Sequence, residues 1–188
     1  STRASPAIFG RMEALARPPL ADLPEFYHGY VAEAMGVDLF DALRAAQRNL
    51  HGTLATVTTE LAEHRYAPGK WSIKEVVQHV IDAERIFAYR ALRFARKDGT
   101  ALPGFDENAY TPASHADRRA LKDLLDELDL VRASTLALFR SLPSEALDRS
   151  GTANNNRITV RAIGWTIAGH SDHHARILAE RYLNIPRP

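Results

Sequence analysis

The chain has 188 residues, of which 45% are hydrophobic and 25% charged, enough for one globular domain with a substantial core. With 24 Lys and Arg against 23 Asp and Glu the net charge is +1, so no basic field gathers nucleic acid or an anionic membrane surface. There is no cysteine, which excludes disulfides, thiolate metal sites and a cysteine nucleophile; any thiol chemistry must take its sulfur from outside.

Residues 1–23 carry Pro6, Pro18 and Pro19 without sustained periodicity and read as an irregular N-terminal arm, with one helical turn around Arg11–Ala16. The domain proper is expected over 24–188. Pro24 opens a helical stretch that Gly36 and Val37 break into a short and a long piece. In the long piece Phe40, Leu43, Ala46, Gln47, Leu50, Leu54, Val57 and Leu61 recur at three- and four-residue steps. Pro68-Gly69-Lys70 marks a turn, and Ser72 with Glu75 forms a capping box that starts a helix running to about Lys97. Residues 100–116 read as a long loop with Pro103, Gly104, Phe105, Tyr110 and Pro112, a candidate lid.

A third long helix is expected over about Asp117–Ser141, carried by Leu121, Leu124, Leu125, Leu128, Val131, Leu138 and Phe139. Pro143 and the polar run Gly151–Arg157 separate it from a last helix, expected from about Thr159 to Leu183. No strong strand pattern is present. The fold class is therefore all-α, a four-helix bundle. No apolar run approaches the roughly 18 residues a membrane span needs. The N-terminus, at Ser1, lacks the basic-then-apolar order of a signal peptide, so a cytoplasmic protein without membrane or nucleic-acid partners is expected. Arg85, Arg90, Arg93, Arg96 and Lys97 cluster in sequence but spread around several helix faces, and read as solvated surface.

Among eight histidines, His28, His51, His64 and His115 need no function. The run Gly169-His170-Ser171-Asp172-His173-His174 is different. His170 and His174 share one helix face, with Cβ atoms about 6 Å apart. That face continues through Ile163, Thr166, Ile167, Ile177 and Arg181, so the imidazoles lie in a mostly apolar stripe and need a partner: a metal ion or buried hydrogen bonds. His79, two turns into its helix, supplies a third ligand, since axes of packed helices lie about 8–10 Å apart. Three neutral imidazoles leave a coordination position open, as catalytic sites do. Alternative patterns fit worse: only Glu25-Phe-Tyr-His28 has di-iron spacing, and the zinc-protease, phosphate-loop and nucleophile-elbow motifs are missing.

Several stretches together resemble the DinB-like (DinB/YfiT-type) helical-bundle superfamily. They are Tyr66 to Glu75, His79 to Arg90, Leu102 to Tyr110, Val160 to Ile163 and Gly169 to Tyr182, in the family's order over about residues 37–184. The resemblance implies an up-down-down-up bundle and a metal bound by His79, His170 and His174, with His173 as a supporting or packing residue. It also implies a homodimer. Relatives include thiol-dependent S-transferases and a mycothiol-dependent isomerase, while others are known only through induction by DNA damage.

The expected activity is that of a divalent-metal enzyme (Zn, Ni or Fe) acting on a small-molecule substrate. Its metal activates an external low-molecular-weight thiol, as in an S-transferase, or a water, as in a hydrolase. A non-catalytic metal-binding stress-response module is the alternative from another class, and a buried polar cluster without metal the plainest one. Asp82, three residues from His79, is expected to orient it; Glu84 is expected to pair within its own helix. Arg90 is expected to receive an anionic substrate group or to form an interhelical salt bridge. Trp71, Phe105 and Tyr110 are candidate pocket walls.

Overall fold

A computed structural model describes residues 15–185, and the expected turn around Arg11–Ala16 falls mostly outside them. The described part of the arm lies on the body: Leu15 and Leu23 are buried, and Trp165 Nε1 donates to Leu15 O at 3.3 Å. Helix α1 (Glu25–Glu33) and helix α2 (Leu39–Leu54) follow, separated where Gly36 adopts φ 110°. Asp38 caps α2 by accepting from Asp41 N. The expected extension to Leu61 is not formed. Val57-Thr58-Thr59, β-branched and poor for helix, ends the element early, and Leu61 returns in a single 3-10 turn, Leu61–Glu63.

Helix α3 (Ile73–Ala95) starts with the expected capping box: Glu75 N donates to Ser72 Oγ at 3.1 Å and Ser72 N to Glu75 Oε2 at 2.8 Å. The expected 100–116 loop contains a short helix α4 (Glu107–Ala113), capped by Asp106, which accepts from Asn108 N and Ala109 N. Helix α5 (Leu121–Ser141) begins four residues later than expected. Asp117 instead sits in a 3-10 turn and accepts from Ser72 Oγ at 2.6 Å, tying this segment to the start of α3. After α6 (Ser144–Leu147) comes a hairpin the sequence reading missed: β1 (Ser150–Ala153) pairs antiparallel with β2 (Asn156–Thr159). Its two-residue turn places Asn154 and Asn155 at φ 48° and 61°, as a type I′ turn demands. Helix α7 (Val160–Ile177), capped by Thr159, continues as a π-helical turn through Leu178–Tyr182.

Cross-helix pairs fix the topology. Leu39 with Gly164 and Asn49 with Asp172 rise together, so α2 and α7 are parallel. Gln78 with Arg119 and Glu84 with Arg132 make α3 and α5 parallel. Trp71 with Tyr182 and Phe94 with Gly151 make α3 and α7 antiparallel, and His51 with Asp129 and Leu43 with Arg132 do the same for α2 and α5. In chain order the helices run up, down, down, up, the expected bundle. α1 packs against α7 from outside. No described helix is long and apolar enough to cross a membrane.

The core divides along the bundle axis. One apolar cluster gathers Leu39, Leu43, Phe87, Phe94, Leu136, Phe139, Ile163 and Trp165. The other gathers Leu50, Leu54, Ile73, Val77, Ile81, Leu124, Leu128 and Leu178. Between them on α3, α5 and α7 fall the buried polar residues His79, Glu84, Arg132, His170 and Asp172. This mid-height polar layer is the setting of the candidate site.

Candidate metal centre

α3 and α7 bring the three expected histidines together. His79 Nε2 lies 3.0 Å from His170 Nε2, and His174 Nε2 lies 3.2 Å from the same atom. Among the described residues they form the group whose donor atoms converge as metal ligands must. A divalent ion with M–N distances of about 2.0–2.1 Å sets its nitrogens about 3.3 Å apart in tetrahedral geometry and about 2.9 Å in octahedral geometry. The observed separations match the edges of such a polyhedron. Three nitrogens facing one another cannot all be satisfied by mutual hydrogen bonds, since a neutral imidazole has one donor and one acceptor. The donor set therefore fits a divalent cation.

The electrostatics agree. Burial pushes the His79 imidazole down from 6.5 to about 4, with the charge of His173 adding to it. Burial holds His170 and His174 well below the ordinary imidazole range, again with help from neighbouring histidines. All three are neutral near pH 7, the form in which imidazole binds metal.

Gly169, just before His170, lets α1 approach: a Cβ there would sit 1.7 Å from Tyr30 O. The Tyr30 ring thus packs edge-on against both His170 and His173, with centroids 5.3 Å away in each case. His173 turns outward to Glu33, which Arg176 also holds, so it anchors α1 rather than joining the three nitrogens.

A cavity of about 80 Å³ opens on His79 and His170, walled by Tyr27 and Tyr30 of α1, Phe87 and Arg90 of α3, Phe105 and Glu107 from the long connection, and Asn154 from the hairpin turn. The hairpin holds that connection in place: Leu102 N donates to Thr152 O and Asn154 N to Leu102 O. Glu107, unnamed by the sequence reading, sets Oε2 4.0 Å from His79 Nε2. The signal was an acidic residue directly after a helix cap, inside the aromatic loop taken for a lid.

The other expected site residues distribute as follows. Trp71 packs against His79 with centroids 4.9 Å apart, but it walls a separate groove of about 250 Å³ that His174, Tyr66 and Tyr182 also line. The histidine trio is thus bordered by a space on either side. Phe105 lines the main cavity; Tyr110 packs at a tilt against Phe105, with centroids 5.4 Å apart, yet faces a neighbouring surface groove with Ile86 and Tyr89. Asp82 is not bonded to His79. It accepts from Gln78 Nε2 at 2.9 Å and approaches Arg85, because its position on α3 faces α5 rather than α7. Glu84 does not pair within its helix but reaches Arg132 of α5 through two bonds of 2.9 Å. Arg90, expected on a solvated surface, is 4% exposed and makes no interhelical salt bridge among the described residues. Of the remaining histidines, His28 bonds Leu23 O, His51 meets Asp129, His64 packs on Tyr182 and His115 is exposed.

Comparison with known proteins follows the same lines. A curated protein of Oceanobacillus iheyensis named "Putative metal-dependent hydrolase OB0413" is 26% identical over 125 residues, 65% of this chain and 70% of that one. The solved structure of YfiT from Bacillus subtilis, described as "a probable metal-dependent hydrolase with an unusual four-helix bundle topology", superposes with a TM-score of 0.70 at 17% identity, covering 90% of this chain and 94% of that one. The mycothiol-dependent maleylpyruvate isomerase shares the fold with a TM-score of 0.60 at 15% identity, over 88% of this chain and 63% of the isomerase. The sequence profile of the DinB superfamily matches residues 42–178, the span that carries the bundle and all three histidines, and the chain belongs to that superfamily.

Proposed function

We propose that this protein is a metal-dependent enzyme of hydrolase type, in which His79, His170 and His174 hold a divalent ion and Glu107 serves as general base toward water. The observation that carries the reading is the Glu107 carboxylate, 4.0 Å from the metal-facing nitrogen of His79 and in the same cavity. Water as the nucleophile calls for a general base, and Glu107 supplies one.

When bound, the ion would lower the pKa of a water and polarise the substrate's carbonyl, making its carbon the electrophile. The three imidazoles, neutral by burial, would present lone pairs rather than protons to the ion. Glu107 Oε2, 4.0 Å from His79 Nε2, accepts the proton of the attacking water. Its side chain is 53% exposed, so the proton passes on to solvent. Tyr30 and Phe87 shield the histidines from bulk water, which strengthens every charge interaction inside. The proposal also includes a small-molecule substrate, a homodimer in the cytoplasm, and 24–188 as the functional domain.

The test is a panel of small ester and amide substrates offered to the zinc-loaded protein and to Glu107→Gln, with metal content measured in both. The variant should keep its metal and lose about 10²–10⁴ in kcat. Equal rates in the two proteins contradict the role of Glu107. Turnover only after adding a low-molecular-weight thiol would favour the thiol-activating reading.

A further inference from the structure

Arg90 is a buried cation that the proposed chemistry does not use. Its side chain borders the same cavity as His79, His170 and Glu107. Nη2 donates to Pro103 O at 2.9 Å, and the guanidinium carbon lies 5.6 Å from the Phe87 ring centroid. Among the described residues it has no carboxylate within 4.0 Å, whereas Arg132, equally buried, is matched to Glu84. A guanidinium offers five N–H donors and stays charged in proteins, so burying it without a counter-charge is unfavourable unless an anion completes the site. Tyr27 does not fill that role: burial raises its phenol above 10.0, leaving it neutral at pH 7. The Phe87 ring is 6.1 Å from the His170 ring, so Arg90 and the metal centre flank one aromatic wall.

We propose that Arg90 binds a carboxylate of the substrate and holds its reacting end toward the three histidines, so that the substrate is a derivative of a short-chain carboxylic acid. The cavity of about 80 Å³ has room for several waters or a small organic anion. The planar fork of arginine matches a carboxylate in a bidentate manner. Apart from the ion, Arg90 is the cavity's one cation among the described residues, a single charge that a monoanionic carboxylate matches more closely than a phosphate dianion does. Asn154, placed by the hairpin turn, adds a neutral side-chain amide to the same cavity. The orientation of the reacting end rests on the proposed metal chemistry, but anion capture by Arg90 does not.

Calorimetric titration of the zinc-loaded protein with propanoate, its neutral amide propionamide, and inorganic phosphate tests the proposal. Propanoate should bind at least about tenfold more tightly than propionamide and more tightly than phosphate. Arg90→Gln should erase the preference while keeping the metal, and Arg90→Lys should retain part of it. His174→Ala, which loses the metal, should still prefer propanoate. If wild type shows no preference for the anion, or Arg90→Gln keeps it, the proposal is overturned; the wild-type comparison stands even if that variant fails to fold. A preference that disappears in His174→Ala places the anion on the metal and also overturns it, while leaving the metal-centre reading intact. Tighter binding of phosphate overturns the carboxylate assignment.

Discussion

Two groups of buried polar residues share the middle layer of this bundle, and they are built on opposite terms. Toward α5, Arg132 and Glu84 meet through two 2.9 Å bonds, with side chains 1% and 2% exposed, and Arg132 also donates to Leu43 O on α2. Every strong donor and acceptor there has its partner. Toward α7, three imidazole nitrogens face one another, and Arg90 has no carboxylate within 4.0 Å among the described residues. The first group locks three helices in register and leaves nothing for a ligand to satisfy. The second leaves the fold with unmet electrostatic demands that a cation and an anion would satisfy. Within one layer, complete pairing points to structure and incomplete pairing to binding, the distinction the variants below test.

The largest effect should come from breaking the matched group. Arg132→Met strands the Glu84 charge and should lower unfolding free energy by about 3–5 kcal/mol in urea titrations, while Arg132→Met with Glu84→Leu recovers most of the loss. A loss below about 1 kcal/mol in the single variant would erase the distinction between the groups.

Next is pH. Near pH 7 the folded and unfolded chains both carry His79 neutral; between 6.5 and about 4 the unfolded chain takes up a proton that the folded one refuses. Stability of the metal-free protein should therefore be full above pH 6.5 and fall as pH drops toward 4, by about 3 kcal/mol for His79 alone. The difference curve between wild type and His79→Phe isolates this share, and a flat difference would contradict it.

Smaller still, His170→Phe in the metal-free protein should change stability by less than about 1 kcal/mol in either direction, because it replaces an unsatisfied polar ring with an apolar one. A loss above about 3 kcal/mol would mean that the histidines are satisfied by one another. Smallest is Asp82→Asn, a few tenths of a kcal/mol with metal affinity unchanged. A loss of about 10–100-fold in metal affinity would restore Asp82 as an orienter of His79.

The long helices were legible because each carries an apolar stripe of helical period, and two of the bundle helices announce their starts: Ser72 with Glu75 for α3 and Thr159 for α7. The histidine trio was legible for the same reason, since period alone places His170, His174 and His79 on inward faces. What escaped the sequence depends on contacts between distant segments. The β1–β2 hairpin is only four residues a side and mostly polar, so its Asn154-Asn155 turn was the sole strand signal. Glu84 and Arg132 lie 48 residues apart, and nothing local to either names the other. Arg90 was lost among neighbouring cations, and only the fold of the Pro103 segment over it shows that it alone of them is buried. Glu107 needed the same segment, tethered by the hairpin, to reach His79.

The most direct test of the central claim, that the unmatched histidines are a metal centre, is elemental analysis of protein purified without an affinity tag, comparing wild type with His174→Ala. Near-stoichiometric divalent metal in wild type and its loss in the variant is the predicted result. No metal in either protein, with zinc, nickel and iron all failing to reconstitute wild type, would contradict it and make the trio a buried polar cluster.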